Sequence, residues 1–329
     1  MLKSIKVILG AGILTLGIGC LSDAERDNTL DIMADNYQPE GQLYGSVTSF
    51  YRTTFGISGA EILLMPENTV TTSADDGSFI FENLQPGNYK LICSKDGYRS
   101  DTIWTDLSAD RKEIYFRLNA VPAFSQVEVN THHVSRWFPA EDTYYLSLKI
   151  RIHDEDGINE IDSVWVSIPS ISFAETLFIS NLNGTYEQTI TEDQLPLSSL
   201  RQLEGKSIFL FCRDMVKNIA RSEAIFLPRL IQDVPQQISP TGLQIITSFP
   251  LKFEWEPVFL PYDFSYEIEI YQINFGFFSR ISQFSEITSA QTEYLLTTPL
   301  PAGDYFWLLY VVDEYGDSSS SKEGAFRIQ

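Results

Sequence analysis

The sequence predicts an all-β protein: three consecutive β-sandwich domains after an amino-terminal signal peptide. Three observations carry this. Apolar and polar residues alternate over many short runs of the 329-residue chain, which is the period of half-buried strands. Turn pairs such as Asp76 with Gly77, Pro86 with Gly87 and Asn183 with Gly184 punctuate those runs. One short apolar run, residues 7–18, stands behind Lys3 and Lys6 at the amino terminus. The length allows about two or three domains. The punctuation places sandwiches at 42–119, 120–230 and 231–329, after a signal peptide at 1–19 and a flexible tether at 20–41.

Charge narrows the choice of partner. With 44 acidic and 23 basic residues the net charge is −21, and such a chain repels phosphate backbones, so no nucleic-acid partner is expected. There are three cysteines. Cys93 and Cys212 each sit inside an alternating apolar run, in different domains. Buried free thiols are expected there, because a disulfide would need the two strands within bonding distance.

The apolar run at 7–18 is too short to span a bilayer comfortably. It ends in Leu16, Gly17, Ile18, Gly19 and Cys20. These residues resemble the lipobox of bacterial lipoproteins. The resemblance implies that Cys20 becomes the lipidated first residue. It also implies attachment to a membrane through that lipid and, in diderm bacteria, sorting to the outer membrane on the extracytoplasmic side. A plain secretory signal with an incidental cysteine is the alternative. The polar, acidic stretch that follows reads as the tether.

The domain at 42–119 is the most legible. Phe79 and Phe81 fall on one face of a strand, and Tyr89, Leu91 and Cys93 on one face of the next. Gly45 and Val47, then Ile57, Gly59, Ala60 and Ile62, precede them, and Gly97 and Tyr98 follow. Together these residues resemble the carboxypeptidase regulatory-like domain, a small transthyretin-like sandwich. The resemblance implies a fold and an accessory module, and it carries no catalytic residues.

In the domain at 120–230, Tyr144, Leu146, Leu148, Ile150 and Ile152 share one strand face, and Val164, Val166 and Ile168 another. Asn183 and Gly184 predict a two-residue hairpin. Residues 208–212 form a nearly continuous apolar strand, followed by a turn at 214–218 and a last strand at 224–227. The motifs at Asp154, Asp156, Gly157 and Ile158 and at Asp214 and Asn218 resemble those of immunoglobulin-like domains of bacterial surface proteins. Lys217 stands where glycine is usual in the second motif. In the domain at 231–329, Leu251, Phe253 and Trp255 share a face, as do Tyr266, Ile268 and Ile270. The set resembles a fibronectin type III domain, in which an early tryptophan packs against a late strand bearing tyrosine. Residues 325–328 close it, and no catalytic domain is expected after them.

Little in the chain speaks for chemistry. His132, His133 and His153 are expected in loops, and strand neighbours 132 and 133 would face opposite ways and could not easily share a metal. No nucleophile elbow, phosphate loop or zinc-protease motif is present. Asp154 and Asp156 fit a plain acidic turn, with calcium at a sandwich rim left open. No enzyme activity and no cofactor are expected. The stronger hint is aromatic: Phe275, Phe277 and Phe278 around Gly276 form a candidate binding loop, and Trp137 with Phe138, and Phe50, Tyr51 and Phe55, also fall at connections. Packing between domains explains such rings first; a sugar, an apolar peptide or a protein partner explains them second. The expected function is that of a non-catalytic cell-surface or periplasm-facing lipoprotein, acting as a binding or scaffolding module for a protein or glycan partner. One alternative is a carbohydrate-binding surface protein. Another is an accessory subunit of a separately encoded peptidase or outer-membrane transporter.

Overall fold

The structure is a computed structural model that describes residues 41–108, 110–181 and 183–329. The expected signal peptide, Cys20 and the tether up to residue 40 lie outside the described residues. What is described is nearly all strand, joined by turns and single turns of 3₁₀ helix. No described helix is long and apolar enough to cross a membrane. The chain divides into two compact units.

The first unit contains residues 41–49, Thr53–Lys95 and Ser100–Leu118. Gly41–Ser49 is the centre of a three-stranded sheet, antiparallel to Ser78–Leu84 and parallel to Arg111–Leu118. A four-stranded sheet runs Thr69–Thr72, Glu61–Met65, Gly87–Ser94, Asp101–Leu107. Alternation decides which side chains are buried: Phe79, Phe81, Tyr89, Leu91 and Cys93 are all in the core, as the sequence predicts. Phe79 meets Phe81 and Phe116 at ring centroids of 6.3 and 6.0 Å. Gly45 is required by its neighbour, since a Cβ there would lie 1.7 Å from the Ile114 carbonyl oxygen.

The second unit contains Phe50–Arg52, Asp96–Arg99 and Asn119–Gln329. It has two hydrophobic cores. One gathers Leu146, Leu148, Ile150, Val164, Val166, Leu210 and Cys212. The other gathers Leu251, Phe253, Trp255, Tyr266, Ile268, Trp307, Leu309 and Phe326. One sheet path joins them. It passes from Thr143–His153 to Ala123–Val134, then to Ser318–Ser320, Gly303–Asp313, Phe264–Asn274 and Phe277–Thr288. The joint is the parallel pairing of Ala123–Val134 with Ser318–Ser320.

Several expectations are corrected. His132 and His133 lie on the strand Ala123–Val134, not in a loop. The connection near Gly184 spans three residues, because Asn181 pairs with Thr185 across a bulge. Trp255 packs edge-to-face at 5.3 Å on Tyr266 of the strand Phe264–Asn274, which belongs to the other sheet, while Tyr305 of the late strand stacks on Phe326. Asp154 and Asp156 do form the expected turn, closed by the Gly157 N–H on the Asp154 carbonyl at 3.0 Å, and both side chains are buried. The turns after Asp214 and Asp313 are built alike: each Asp Oδ1 accepts the backbone N–H four residues on, at 2.8 and 3.0 Å. Lys217 sits at φ 71° where Gly316 sits at φ 93°. The position demands left-handed backbone, which explains why glycine is usual there.

Candidate functional site

The candidate site grows from the outer face of one sheet. Phe264–Asn274 turns Tyr266, Ile268 and Ile270 into the core, so Glu269, Tyr271 and Ile273 stand on the opposite face. On the neighbouring strand Gly303–Asp313, Tyr305, Trp307 and Leu309 take the core, leaving Phe306, Leu308 and Tyr310 outside. A sandwich normally places polar side chains there. Here Tyr271 lies opposite Phe306, and the two rings stack at 4.8 Å and 2°. Phe278 closes on Phe306 edge-to-face at 5.3 Å.

Glu269 holds this face in place. Its carboxylate accepts the Tyr271 and Tyr310 hydroxyls at 2.7 and 2.9 Å, and Arg280 donates to its other oxygen. Burial, with Glu269 beside it, pushes the Tyr271 hydroxyl up to about 12, and burial raises Tyr310 as well. Both phenols therefore remain neutral donors at physiological pH.

The facing part is the segment 135–142, which follows the strand Ala123–Val134. Trp137 donates its backbone N–H to Glu323 Oε2 and its indole N–H to the Glu323 carbonyl, at 3.1 and 2.9 Å. Lys322 Nζ lies 4.5 Å from the Trp137 ring. Asp142 is gripped by His133 Nε2 at 3.1 Å and Ser135 Oγ at 2.9 Å. The segment is thus tied down at Trp137 and at Asp142, with Phe138 between them.

Together these parts enclose a groove of about 1320 Å³ lined by Trp137, Phe138, Tyr271, Phe278 and Phe306, with residues 234–237 and 241–243 along it. Trp137, Phe138 and Phe278 are 66%, 90% and 65% exposed, so their rings are open to solvent. Ser135, Asp142, Gln236, Thr241 and Glu323 supply polar lining.

The predicted binding loop therefore divides. Phe275 and Gly276, at φ 51° and 84°, are the two central residues of a tight hairpin turn. Phe277 and Phe278 already belong to the strand Phe277–Thr288 rather than to a connection. Phe278 lines the groove; Phe275 and Phe277 do not. All three are exposed, which replaces the expectation of packing between domains. The sequence singled out Trp137 and Phe138, and the structure brings them to Phe278. It did not single out Tyr271 and Phe306. The signal available was their position, opposite the buried faces of two strongly alternating strands.

The polar candidates are occupied structurally. His132 stacks on Tyr145 at 4.7 Å and meets Ser318 and Ser147, and burial pushes it down to about 4. His133 stacks on Tyr144 at 4.3 Å. His153 is exposed beside Glu155. Asp154 Oδ1 accepts the Asp156 N–H at 2.8 Å, and Asp156 Oδ2 accepts the Ala120 N–H at 2.7 Å. Among the described residues no group of three or more His, Cys, Asp or Glu is placed to hold a metal ion.

Residues 42–125 match the family model of the carboxypeptidase regulatory-like domain. No curated protein matches the chain. Among solved structures, BcpA, the major pilin subunit of Bacillus cereus, is 11% identical, with a TM-score of 0.31 over 85% of this chain and 92% of its own. The FN1–FN3 domains of chicken CNTN1 are also 11% identical, with a TM-score of 0.33 over 89% and 99%. A proposed carbohydrate-binding protein of Bacteroides uniformis is 7% identical, with a TM-score of 0.24 over 58% and 100%. Likeness at this level assigns no function.

Proposed function

We propose that the chain is a non-catalytic binding module of the cell surface or periplasm, held to a membrane by a lipid on Cys20. The outer membrane is the membrane we favour. The ligand sits in the groove between residues 135–142 and the outer face of the strand Phe264–Asn274. One observation carries this: Trp137 and Phe138 on one segment and Phe278 on the facing sheet stand open to solvent around the stacked Tyr271 and Phe306, on a sheet face that polar side chains would ordinarily cover. Apolar patches of this kind on a folded surface mark interaction sites. The state of the thiols and of His132 supports the non-catalytic part. Burial pushes the Cys93 and Cys212 thiols up to about 12, far from a reactive thiolate. His132, with its depressed pKa, is neutral and packed.

The test works with the ligand still unidentified. Hydroxyl-radical labelling is compared between the protein on intact cells and the purified chain. Trp137, Phe138 and Phe278 should be protected on cells, while Phe275, which is also exposed but off the groove, should label alike in both. Equal labelling of all four rings would overturn the groove reading.

A further inference from the structure

Resting on that groove reading, we infer that its occupant is a neutral, extended oligosaccharide. Four features of the lining point to this chemistry.

The first is the pairing of rings with polar groups. A pyranose offers an apolar face of C–H bonds that packs on an aromatic ring, and a rim of hydroxyls that each need a partner. The groove offers the exposed Trp137 ring on one segment and, on the facing sheet, the exposed Phe278 ring backed by the stacked pair Tyr271 and Phe306. Asp142, Gln236, Thr241 and Glu323 line the same space. A purely apolar occupant, such as an acyl chain, would desolvate these carboxylates without replacing their hydrogen bonds.

The second is charge. Two carboxylates, Asp142 and Glu323, line the groove against a single cation, Lys322, which lies over the Trp137 ring. The whole chain carries −21. Uronic acids, sulfated sugars and phosphorylated chains are therefore repelled, and a neutral chain is not.

The third is size. The groove, about 1320 Å³, exceeds the roughly 300–1,000 Å³ of a typical small-molecule pocket. It has room for several sugar units.

The fourth is preorganisation. Trp137 is fixed by two hydrogen bonds to Glu323, Tyr271 by Glu269, and Asp142 by His133 and Ser135. Little side-chain freedom remains to be lost on binding.

The experiment is calorimetric titration of the full chain with cellopentaose, maltopentaose, laminaripentaose, mannopentaose and xylopentaose, with pentagalacturonic acid as the charged comparison. At least one neutral pentasaccharide should bind. Trp137→Ala and Phe278→Ser should each weaken it by about tenfold or more, the loss expected for an aromatic anchor. Phe275→Ser should change nothing. Melting curves of the variants exclude misfolding, and Trp137→Phe, which keeps a ring in place, should retain most of the affinity. Failure of every neutral sugar at millimolar concentration overturns the inference, as does preferential binding of the charged one. Selection of aromatic peptides from a random dodecamer library, with binding that needs Trp137, also overturns it. Each of these three failures leaves the footprinting result, and with it the groove reading, standing or falling on its own.

Discussion

The joint between the two cores of the second unit makes a sharp prediction about pH. Asp317 is fully buried. Its Oδ1 accepts the Thr131 N–H at 2.6 Å and the Thr131 hydroxyl at 3.0 Å, which ties the turn after Gly303–Asp313 to the strand Ala123–Val134. Its Oδ2 makes no hydrogen bond among the described residues. Burial, and then the charge of Asp313, push the Asp317 carboxyl up to about 6 from its ordinary 3.8. The folded state therefore binds a proton more tightly than the unfolded chain. The resulting stabilisation is fully present below about pH 4 and is lost as pH rises through about 6. Between about pH 7.5 and pH 5 the recovery for this one group is about 1.4 kcal/mol, taking about 1.36 kcal/mol per pKa unit. Asp317→Asn keeps an acceptor for Thr131 and removes the titration. Urea unfolding of both proteins, followed by the fluorescence of the buried Trp255 and Trp307, gives the two stabilities at each pH. The difference between wild type and variant should shift by about 1.4 kcal/mol across that interval, with the variant relatively favoured at the higher pH. Asp154, pushed up to about 6 by burial, acts in the same direction. His132, pushed down to about 4 by burial, acts in the opposite one. For this reason the difference, and not the wild-type curve alone, is the readout. A difference that stays constant with pH refutes the reasoning.

Three further outcomes are expected. Trp255→Ala should cost about 3–5 kcal/mol, because the ring is fully buried and its loss leaves a cavity; a loss under about 1 kcal/mol in urea unfolding contradicts the packing. Gly316→Ala should cost about 1–2 kcal/mol at φ 93°, while Lys217→Gly, at φ 71°, should be neutral or stabilising by up to about 1 kcal/mol; thermal melts of the pair decide whether the two turns are equivalent. Cys20→Ala should release the protein from membranes, since the acyl chains supply about 0.8 kcal/mol per buried CH₂; a native amino terminus that mass spectrometry finds unmodified, or at another residue, sinks the anchor.

What the sequence revealed and what it hid separate along one physical line. Strand faces follow a local period, so Phe79 with Phe81, Leu146 to Ile152 and Tyr266 with Ile270 could be placed in cores from their spacing alone. The same period puts Tyr271 and Phe306 on the faces opposite the core, a signal the sequence reading did not take up, and it gives no reason to connect them with Trp137. That connection depends on the joint, and the joint has no local signature. It is made by Ser318, Ser319 and Ser320, a buried strand with no apolar periodicity. Small hydroxyls suit it, because His132 and His133 crowd alongside and share hydrogen bonds with Ser318 and Ser319 at 2.8 and 3.2 Å. A run of serines reads as a loop, and adjacent histidines read as loop residues too. Only their pairing, between segments far apart in sequence, turns both into strand. The pairing then carries the chain directly into Ser321, Lys322 and Glu323, where Glu323 grips Trp137. The aromatic groove thus depends on the serine joint: Tyr271, Phe306 and Phe278 are held together by their own paired strands, and the joint is what brings Trp137 and Phe138 to them.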